Sequence, residues 1–470
     1  MTQNFYDRKE EINLLKEKYE KIENGEFLAV YGRRRVGKTE LIKKFMDSLK
    51  NEKKLYLYVD LAEKQDILNS FSNAIFEQIK ESVKFADFDD FFEYIDKKTE
   101  SGKFILVIDE FQRFLETSPE FITKLQNIWD SKLKLKKIMI IIVGSSIGMI
   151  KKITESGAGS LYGRAVRTKI SPFRYADFRL MFKDLNEIEK IEMYASFGGT
   201  PFYLEKAKNF KTSEEAIFEL LIKKGGELID EPKNLLEYEN LRNHSRYNSI
   251  LHAIASGKEI LKEIEDFTKI RNTTLPAYLN RLENLLDIIG KKKPVLGKDK
   301  LDRYFIKDNL FRFWYKFIFS NQISINLGNY RYILQTIKEN YNSYVGRVFE
   351  NIIRELVALY INKKIKNFEI NFEEIGSWWD KRGSEIDLVA YNKKEKRILI
   401  GEIKWTNKPV NLEILNELIE KSKLIEFKGE YHFILVSKSG FTKECIDRMK
   451  EIKCIYLDIN DVSSLFNEAV

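Results

Sequence analysis

The sequence predicts an α/β chain built on a parallel sheet with helices on both faces, followed by two further domains. Three observations predict it. Residues 27–31 (FLAVY) form an apolar run typical of a buried parallel strand, and a glycine-containing turn joins them to a stretch whose apolar positions, Leu41, Ile42 and Phe45, repeat at helical spacing. Further apolar runs at 55–60 (LYLYVD), 104–109 (FILVID) and 138–143 (IMIIIV) alternate with helical stretches such as 67–79, as a parallel sheet requires for its crossovers. Finally, 470 residues with 43% hydrophobic content can bury about three ordinary cores, so one sheet domain leaves more than half the chain to explain.

The turn after the first strand reads Gly32-Arg33-Arg34-Arg35-Val36-Gly37-Lys38-Thr39. Backbone N–H groups of such a loop point inward as an anion cradle, and the helix that follows adds the positive end of its dipole. A nucleoside triphosphate, ATP or GTP, fits there, with Lys38 on the β- and γ-phosphates and Thr39 on magnesium. Strand, loop and helix in this order make the pattern of a P-loop NTPase. The 104–109 run ends in Asp109-Glu110 and is expected beside the first strand. Asp109 then holds magnesium, directly or through water, and Glu110 activates the attacking water. Acidic residues at a strand end are by themselves ordinary solvated turns; behind a phosphate loop they are the signature of hydrolysis.

Composition bounds the remaining possibilities. Lys and Arg number 80 against 72 Asp and Glu, a net +8 that suits an anionic partner without demanding one. Cys445 and Cys454 offer neither a disulfide framework nor a zinc ligand set, which fits a reducing cytosol. The start, MTQNFYDRKEE, has no apolar leader, and the longest apolar runs are far too short to span a bilayer. A soluble, cytoplasmic protein without membrane partners is expected.

In chain order, residues 5–20 read as an extended lead-in and a charged amphipathic helix carrying Ile12, Leu15 and Tyr19. Ser145, in Gly144-Ser145-Ser146 after the fourth strand, either hydrogen-bonds the γ-phosphate or the lytic water, or is only part of a turn. Arg164, in Leu161-Tyr162-Gly163-Arg164 before a fifth strand at 166–170, is either a solvated surface residue or an arginine finger, in its own subunit or a neighbouring one. Gly198-Gly199-Thr200-Pro201 is a tight turn in a helical region, and 214–239 reads as a small helical lid.

YGRRRVGKTELI, VIDEFQ, VGSS, LYGR and GGTP, in this order and spacing, resemble the archaeal ATPase family of the signal-transduction-ATPase branch of AAA-type proteins, over roughly the first half of the chain. The resemblance implies ATP as the nucleotide, Arg8 near its base, Gly199 and Pro201 in the lid over the adenine, and Arg164 as a finger in a possible homo-oligomer.

From 240 the character changes. Short helices at 247–255, 260–267 and 273–286, then a hairpin-like tail through Lys291-Lys292-Lys293-Pro294 and Tyr304-Phe305-Ile306, follow a winged-helix pattern. Residues 240–308 hold 14 Lys and Arg against 9 Asp and Glu, so Asn272, Thr273, Thr274 and Arg281 face either a DNA groove or another protein. Residues 308–320 (DNLFRFWYKFIFS) suit a buried joint between domains better than a base-stacking platform. A new domain is expected near Asn340, with a helix at 341–361 containing Glu350, strands at 375–379, 383–391 and 398–405, a helix at 412–425 and a strand at 431–436.

Alternation places Glu385 and Asp387 on one face of a strand, and Glu402 and Lys404 on one face of the next. Charges on otherwise apolar strands demand either a metal or close pairing, a salt-bridge ladder being the ordinary case. A helix Glu, a strand Asp and a Glu-x-Lys 15 residues on resemble the PD-(D/E)XK nuclease superfamily, with Ile-Asp in place of Pro-Asp. That resemblance implies a restriction-endonuclease-like α/β domain in which Glu350, Asp387, Glu402 and the Ile403 carbonyl hold Mg2+ or Mn2+ and Lys404 handles the attacking water. The expected layout is a P-loop ATPase core (1–175), a helical lid (176–239), a winged helix (240–308), a helical linker (309–339) and a nuclease-like domain (340–470). The expected function is ATP hydrolysis controlling a metal-dependent, nucleic-acid-directed domain, or else a regulatory ATPase whose last domain binds DNA or protein without cutting.

Overall fold

The computed structural model describes residues 8–50, 52–155, 159–238, 241, 243–297 and 301–469. The lead-in at 5–7 and the lid boundary at 239–240 lie outside the described residues. The chain divides into two compact units, one running to Pro172 and including Asn280–Asp287, the other comprising Phe173–Leu279 and the chain from Ile288 onward.

The first unit is a five-stranded parallel sheet of β1 (Glu26–Tyr31), β2 (Lys53–Tyr58), β3 (Phe104–Asp109), β4 (Ile138–Gly144) and β5 (Val166–Lys169), in the order β2-β3-β4-β1-β5. β1 therefore lies between β4 and β5, and β3 is one strand further out than the sequence suggested. β4, apolar and buried along all 7 residues, is the better fit for that central place. The buried strands alternate as the pleat demands. Phe27, Ala29, Leu106, Ile108 and Ile140 face one core, with Phe71, Phe88 and Phe121. Leu28, Val30, Val107 and Ile141 face the other, with Leu15, Leu41 and Phe45. Burying each such side chain contributes roughly 1.5–3 kcal/mol. Between β2 and β3 the sequence reading missed a helix, Phe88–Thr99, capped by Asp87, which accepts from the N–H groups of Asp89 and Asp90.

In the second unit, helices Glu187–Phe197, Pro201–Ala207, Ser213–Ile217 and Glu231–Tyr238 occupy the expected lid region. Helices His244–Ala255, Leu261–Thr268 and Leu275–Asn280 then precede an antiparallel hairpin of β6 (Ile289–Lys292) and β7 (Arg303–Ile306). This is the expected order, but the hairpin is not a free wing. Val295 N–H donates to Ser377 O at 2.9 Å, Trp379 Nε1 to Leu301 O at 2.8 Å, and Arg303 pairs with Glu385 at 2.9 Å.

The border expected at 339/340 falls inside one helix, Tyr330–Leu359, of 30 residues. Its apolar stripe starts upstream at Ile333 and Ile337, and Asn340 breaks nothing because its side-chain amide donates to Thr336 O one turn back. A two-stranded ribbon, β8 (Lys363–Ile365) and β9 (Phe368–Ile370), leads to a second sheet of β10 (Glu374–Trp379), β11 (Glu385–Asn392), β12 (Arg397–Lys404), β13 (Glu430–Ser437) and β14 (Ile455–Leu457). They pair in sequence order, β10 to β12 antiparallel and β12 to β14 parallel. Helix Leu412–Ser422 joins β12 to β13, as expected; helix Lys443–Glu451, β14 and helix Ile459–Ala469 were not foreseen. Among the described residues no helix is long and apolar enough to cross a membrane.

Candidate nucleotide and phosphodiester sites

The phosphate loop leaves β1 through Gly32, where a Cβ would stand 2.2 Å from Ile170 O, so no larger residue fits beside the end of β5. Arg35 and Gly37 adopt left-handed conformations, φ 70° and 89°, which curl the backbone between β1 and the helix that follows. Lys38 Nζ donates to Gly32 O and Arg33 O, each at 2.9 Å, and so spans the loop. Arg33 and Val36 are buried, while Arg34 is half-buried. Arg8 donates to Val36 O at 3.3 Å and to Ser171 O, and pairs with Glu11 at 2.9 Å. It thus braces the outer side of the loop.

Thr39 Oγ1 donates to Asp109 Oδ2 at 2.8 Å, so the hydroxyl and carboxylate expected to share a magnesium ion are in direct contact. Both are hard oxygen donors, and the pair suits that ion. Asp109 is held further by Tyr56 Oη at 2.5 Å and by the Glu110 N–H at 2.8 Å. Burial and the Asp109 charge raise the Tyr56 pKa, so the phenol stays a donor. Glu110, at φ 55°, turns its carboxylate toward β4, where Ser145 Oγ donates to it at 2.9 Å and Gln112 Nε2 also bonds it. Ser145 therefore engages Glu110 and is more than part of a turn. Tyr56 and Gln112 were missed; the alternating tyrosines of LYLYVD and the Gln two residues after Glu110 were the available signals.

Arg164 forms a two-pronged ion pair with Asp130, Nε to Oδ1 at 2.9 Å and Nη2 to Oδ2 at 2.6 Å. Its fork is committed within this chain. Pro201 opens helix Pro201–Ala207 in the second unit, and at Gly199 a Cβ would meet Phe173 O at 1.9 Å, so this stretch is the tight turn expected.

On the second sheet, Asp387 and Glu402 lie one step beyond the Leu388–Gly401 pair of β11 and β12. Asp387 Oδ2 accepts from the Ile403 N–H at 2.9 Å. Glu402, 5% exposed, accepts from Lys404 Nζ at Oε1, 2.5 Å, while its buried Oε2 has no hydrogen-bond partner. Lys404 Nζ is also 4.0 Å from Asp387 Oδ2, and Lys421 Nζ is 3.5 Å from Glu402. Glu350 pairs with Arg354 at 3.7 Å, and Arg354 donates to Asp387 O. Burial, then the charges of Glu350 and Glu402, push Asp387 up to about 8. Burial raises Glu350 as well. Lys404 is raised by Glu402 and Asp387 against the opposing effect of burial.

The expected three-carboxylate shell of Glu350, Asp387 and Glu402 is not gathered: among the described residues no three His, Cys, Asp or Glu side chains could together hold a metal ion. The physical reason is charge. Lys404 occupies the space between the two strand carboxylates, and Arg354 draws on Glu350. Two observations still fit a hard cation, the partnerless Oε2 of Glu402 and an Asp387 destabilised by its like-charged neighbours.

Residues 5–207 match a family described as an ATPase domain predominantly from Archaea, and residues 314–418 a family of archaeal and bacterial proteins of unknown function. An uncharacterized protein of Methanocaldococcus jannaschii is 33% identical over 472 residues, spanning 98% of this chain and all of its own. Among solved structures, a Walker-type ATPase of Pyrococcus abyssi matches with a TM-score of 0.51 at 22% identity, over 66% of this chain and 95% of its own. The Aeropyrum pernix ORC2 protein matches with a TM-score of 0.43 at 12% identity, over 72% of this chain and 98% of its own. With its phosphate loop, its Thr39–Asp109 contact and a relative aligned from end to end, the chain belongs to the family of predominantly archaeal ATPases and carries behind its ATPase domain the domain of that second, uncharacterized family.

Proposed function

We propose that this ATPase hydrolyses ATP at residues 32–39 and that its nucleotide state governs a metal-dependent phosphodiesterase in the C-terminal half, directed at nucleic acid. For hydrolysis the reading rests on one observation, the direct Thr39–Asp109 contact with Glu110 next in sequence. Lys38 exchanges the carbonyls of Gly32 and Arg33 for the β- and γ-phosphates. Glu110, steadied by Ser145 and Gln112, takes the proton of the attacking water. Magnesium, bound by Thr39 and Asp109, would neutralise charge on the phosphates. Arg8 borders the base in this reading, and Arg164 acts across a subunit boundary after leaving Asp130.

The layout proposed is an ATPase core through 175, a lid at 176–239, a winged helix at 240–308 and a nuclease-like domain beginning with the helix at Tyr330. In that domain Asp387 and Glu402 offer oxygens to Mg2+ or Mn2+, with Glu350 behind them. Lys404, resting on Glu402, would orient the attacking water and meet charge developing on the phosphate. The partnerless Glu402 Oε2 carries this half of the reading. Incubating the full chain with DNA and RNA, with magnesium or manganese, tests it: cutting lost in Asp387→Ala and Lys404→Ala with ATPase activity intact is expected. The Lys404–Glu402 ion pair favours a second reading, a domain that binds nucleic acid without cutting, and absence of cutting with either metal would select it.

A further inference from the structure

Asp387 and Glu402 open onto a cleft of about 860 Å3 within the second unit. Its walls combine the β6–β7 hairpin, the head of helix Asn309–Phe313, the long helix and the second sheet. Several cations line those walls, Lys293, Lys307 and Lys421 among them. Arg303, Arg347 and Arg354 are committed to Glu385 at 2.9 Å, Glu259 at 3.0 Å and Glu350 at 3.7 Å. Lys292 and Arg312 are different. Among the described residues neither makes an ion pair, and each lies against a ring instead: Lys292 Nζ is 5.5 Å from the centre of Trp379, and Arg312 Cζ 5.2 Å from that of Tyr344.

Burial lowers the pKa of both groups, the mark of cations withdrawn from water without enough counter-charge. Glu350 feels both charges, which sets them near the acidic cluster, yet its carboxylate is already engaged by Arg354. A lysine and an arginine half-withdrawn from water, each packed on an aromatic face and lining one cleft with a phosphodiesterase-like cluster, suit an anion there. The cleft's size limits what carries that anion. It falls in the range of small-ligand pockets, roughly 300–1,000 Å3, room for a few unstacked nucleotides. An unpaired strand uses that room with one backbone, whereas a duplex brings two backbones and stacked base pairs to the same space.

We propose that Lys292 and Arg312 form a phosphate subsite for a single-stranded polynucleotide, which threads the cleft with one phosphodiester at Asp387, Glu402 and Lys404 and a neighbouring phosphate on the hairpin side. Cutting of that strand rests on the phosphodiesterase reading above; its binding does not. The hairpin, docked on β10 through Val295 and Ser377, thereby supplies substrate contacts to the second sheet.

The test is fluorescence anisotropy on the full chain in EDTA, where nothing is cut, with an end-labelled single-stranded DNA, the RNA of the same sequence and the blunt DNA duplex, across a salt series. Single strands are expected to bind at least tenfold more tightly than duplex, and the DNA and RNA arms show which sugar is preferred. Lys292→Gln and Arg312→Gln should each weaken single-strand binding about tenfold and lower the slope of log affinity against log salt by about 0.7, the loss of one neutralised phosphate. The charge-keeping Lys292→Arg and Arg312→Lys should recover much of both, which separates lost charge from lost fold. Equal affinity for duplex, no binding to any oligonucleotide, or wild-type affinity and slope in both Gln variants would overturn the subsite. Single-strand binding that depends on Lys292 and Arg312 without any cutting would reject the phosphodiesterase reading alone, and cutting with a duplex preference would reject the subsite alone.

Discussion

Lys38 is held across the phosphate loop by two carbonyls, those of Gly32 and Arg33. Lys38→Ala is expected to abolish high-affinity ATP binding, as read by titration calorimetry with magnesium present. Glu110→Gln keeps the shape and the Ser145 contact but cannot take a proton. It should bind ATP normally and turn it over about 10²–10⁴-fold more slowly, measured as phosphate release at saturating ATP. Asp387 gives a pH signature. Its folded pKa, about 8, stands above the ordinary value of 3.8, so the folded chain holds this proton more tightly than the unfolded chain. Its contribution to stability therefore falls as pH rises from about 4 to about 8, by at most about 1.4 kcal/mol per pH unit. Urea unfolding across that window should show a shallower decline for Asp387→Asn than for wild type, and identical slopes would remove Asp387 from the account.

At the scale of elements, the loop works because two strands and a helix meet at Gly32. β5 ends against it, and a methyl group there would press on the backbone carbonyl of Ile170, which cannot rotate away as a side chain could. Gly32→Ala should cost about 1–3 kcal/mol of stability and weaken ATP binding by moving the loop, both visible in melting curves with and without nucleotide. The long helix Tyr330–Leu359 shows the same economy of placement. Its positions 347, 350 and 354 recur at helical spacing, so one face presents Arg347, Glu350 and Arg354 to the cleft.

For the whole molecule, the two compact units predict separable activities. Asp387→Ala and Lys404→Ala should leave ATP turnover within about twofold of wild type, since neither residue belongs to the unit that holds the phosphate loop. Arg164 raises the question of assembly. The proposed finger role of Arg164 in a neighbouring copy predicts that mixing Arg164→Ala with Lys38→Ala protein restores part of the hydrolysis that each lacks alone. No recovery in mixed samples would confine Arg164 to its bond with Asp130.

The sequence by itself determined what depends on local order. The phosphate loop, the strand that precedes it, the Asp109-Glu110 pair and the alternation that sets Glu385 with Asp387 are all readable because the chain is contiguous there and a strand has a period of two. Tertiary structure alone decided what joins distant segments. β4 stands between β1 and β3; Tyr56 and Gln112 steady the two carboxylates; Lys404 sits between the two strand carboxylates expected to hold a metal; and the β6–β7 hairpin is docked on β10. Strand order, hydrogen-bond partners and the balance between attracting and repelling charges are settled by packing across long loops, and spacing along the chain carries no record of them.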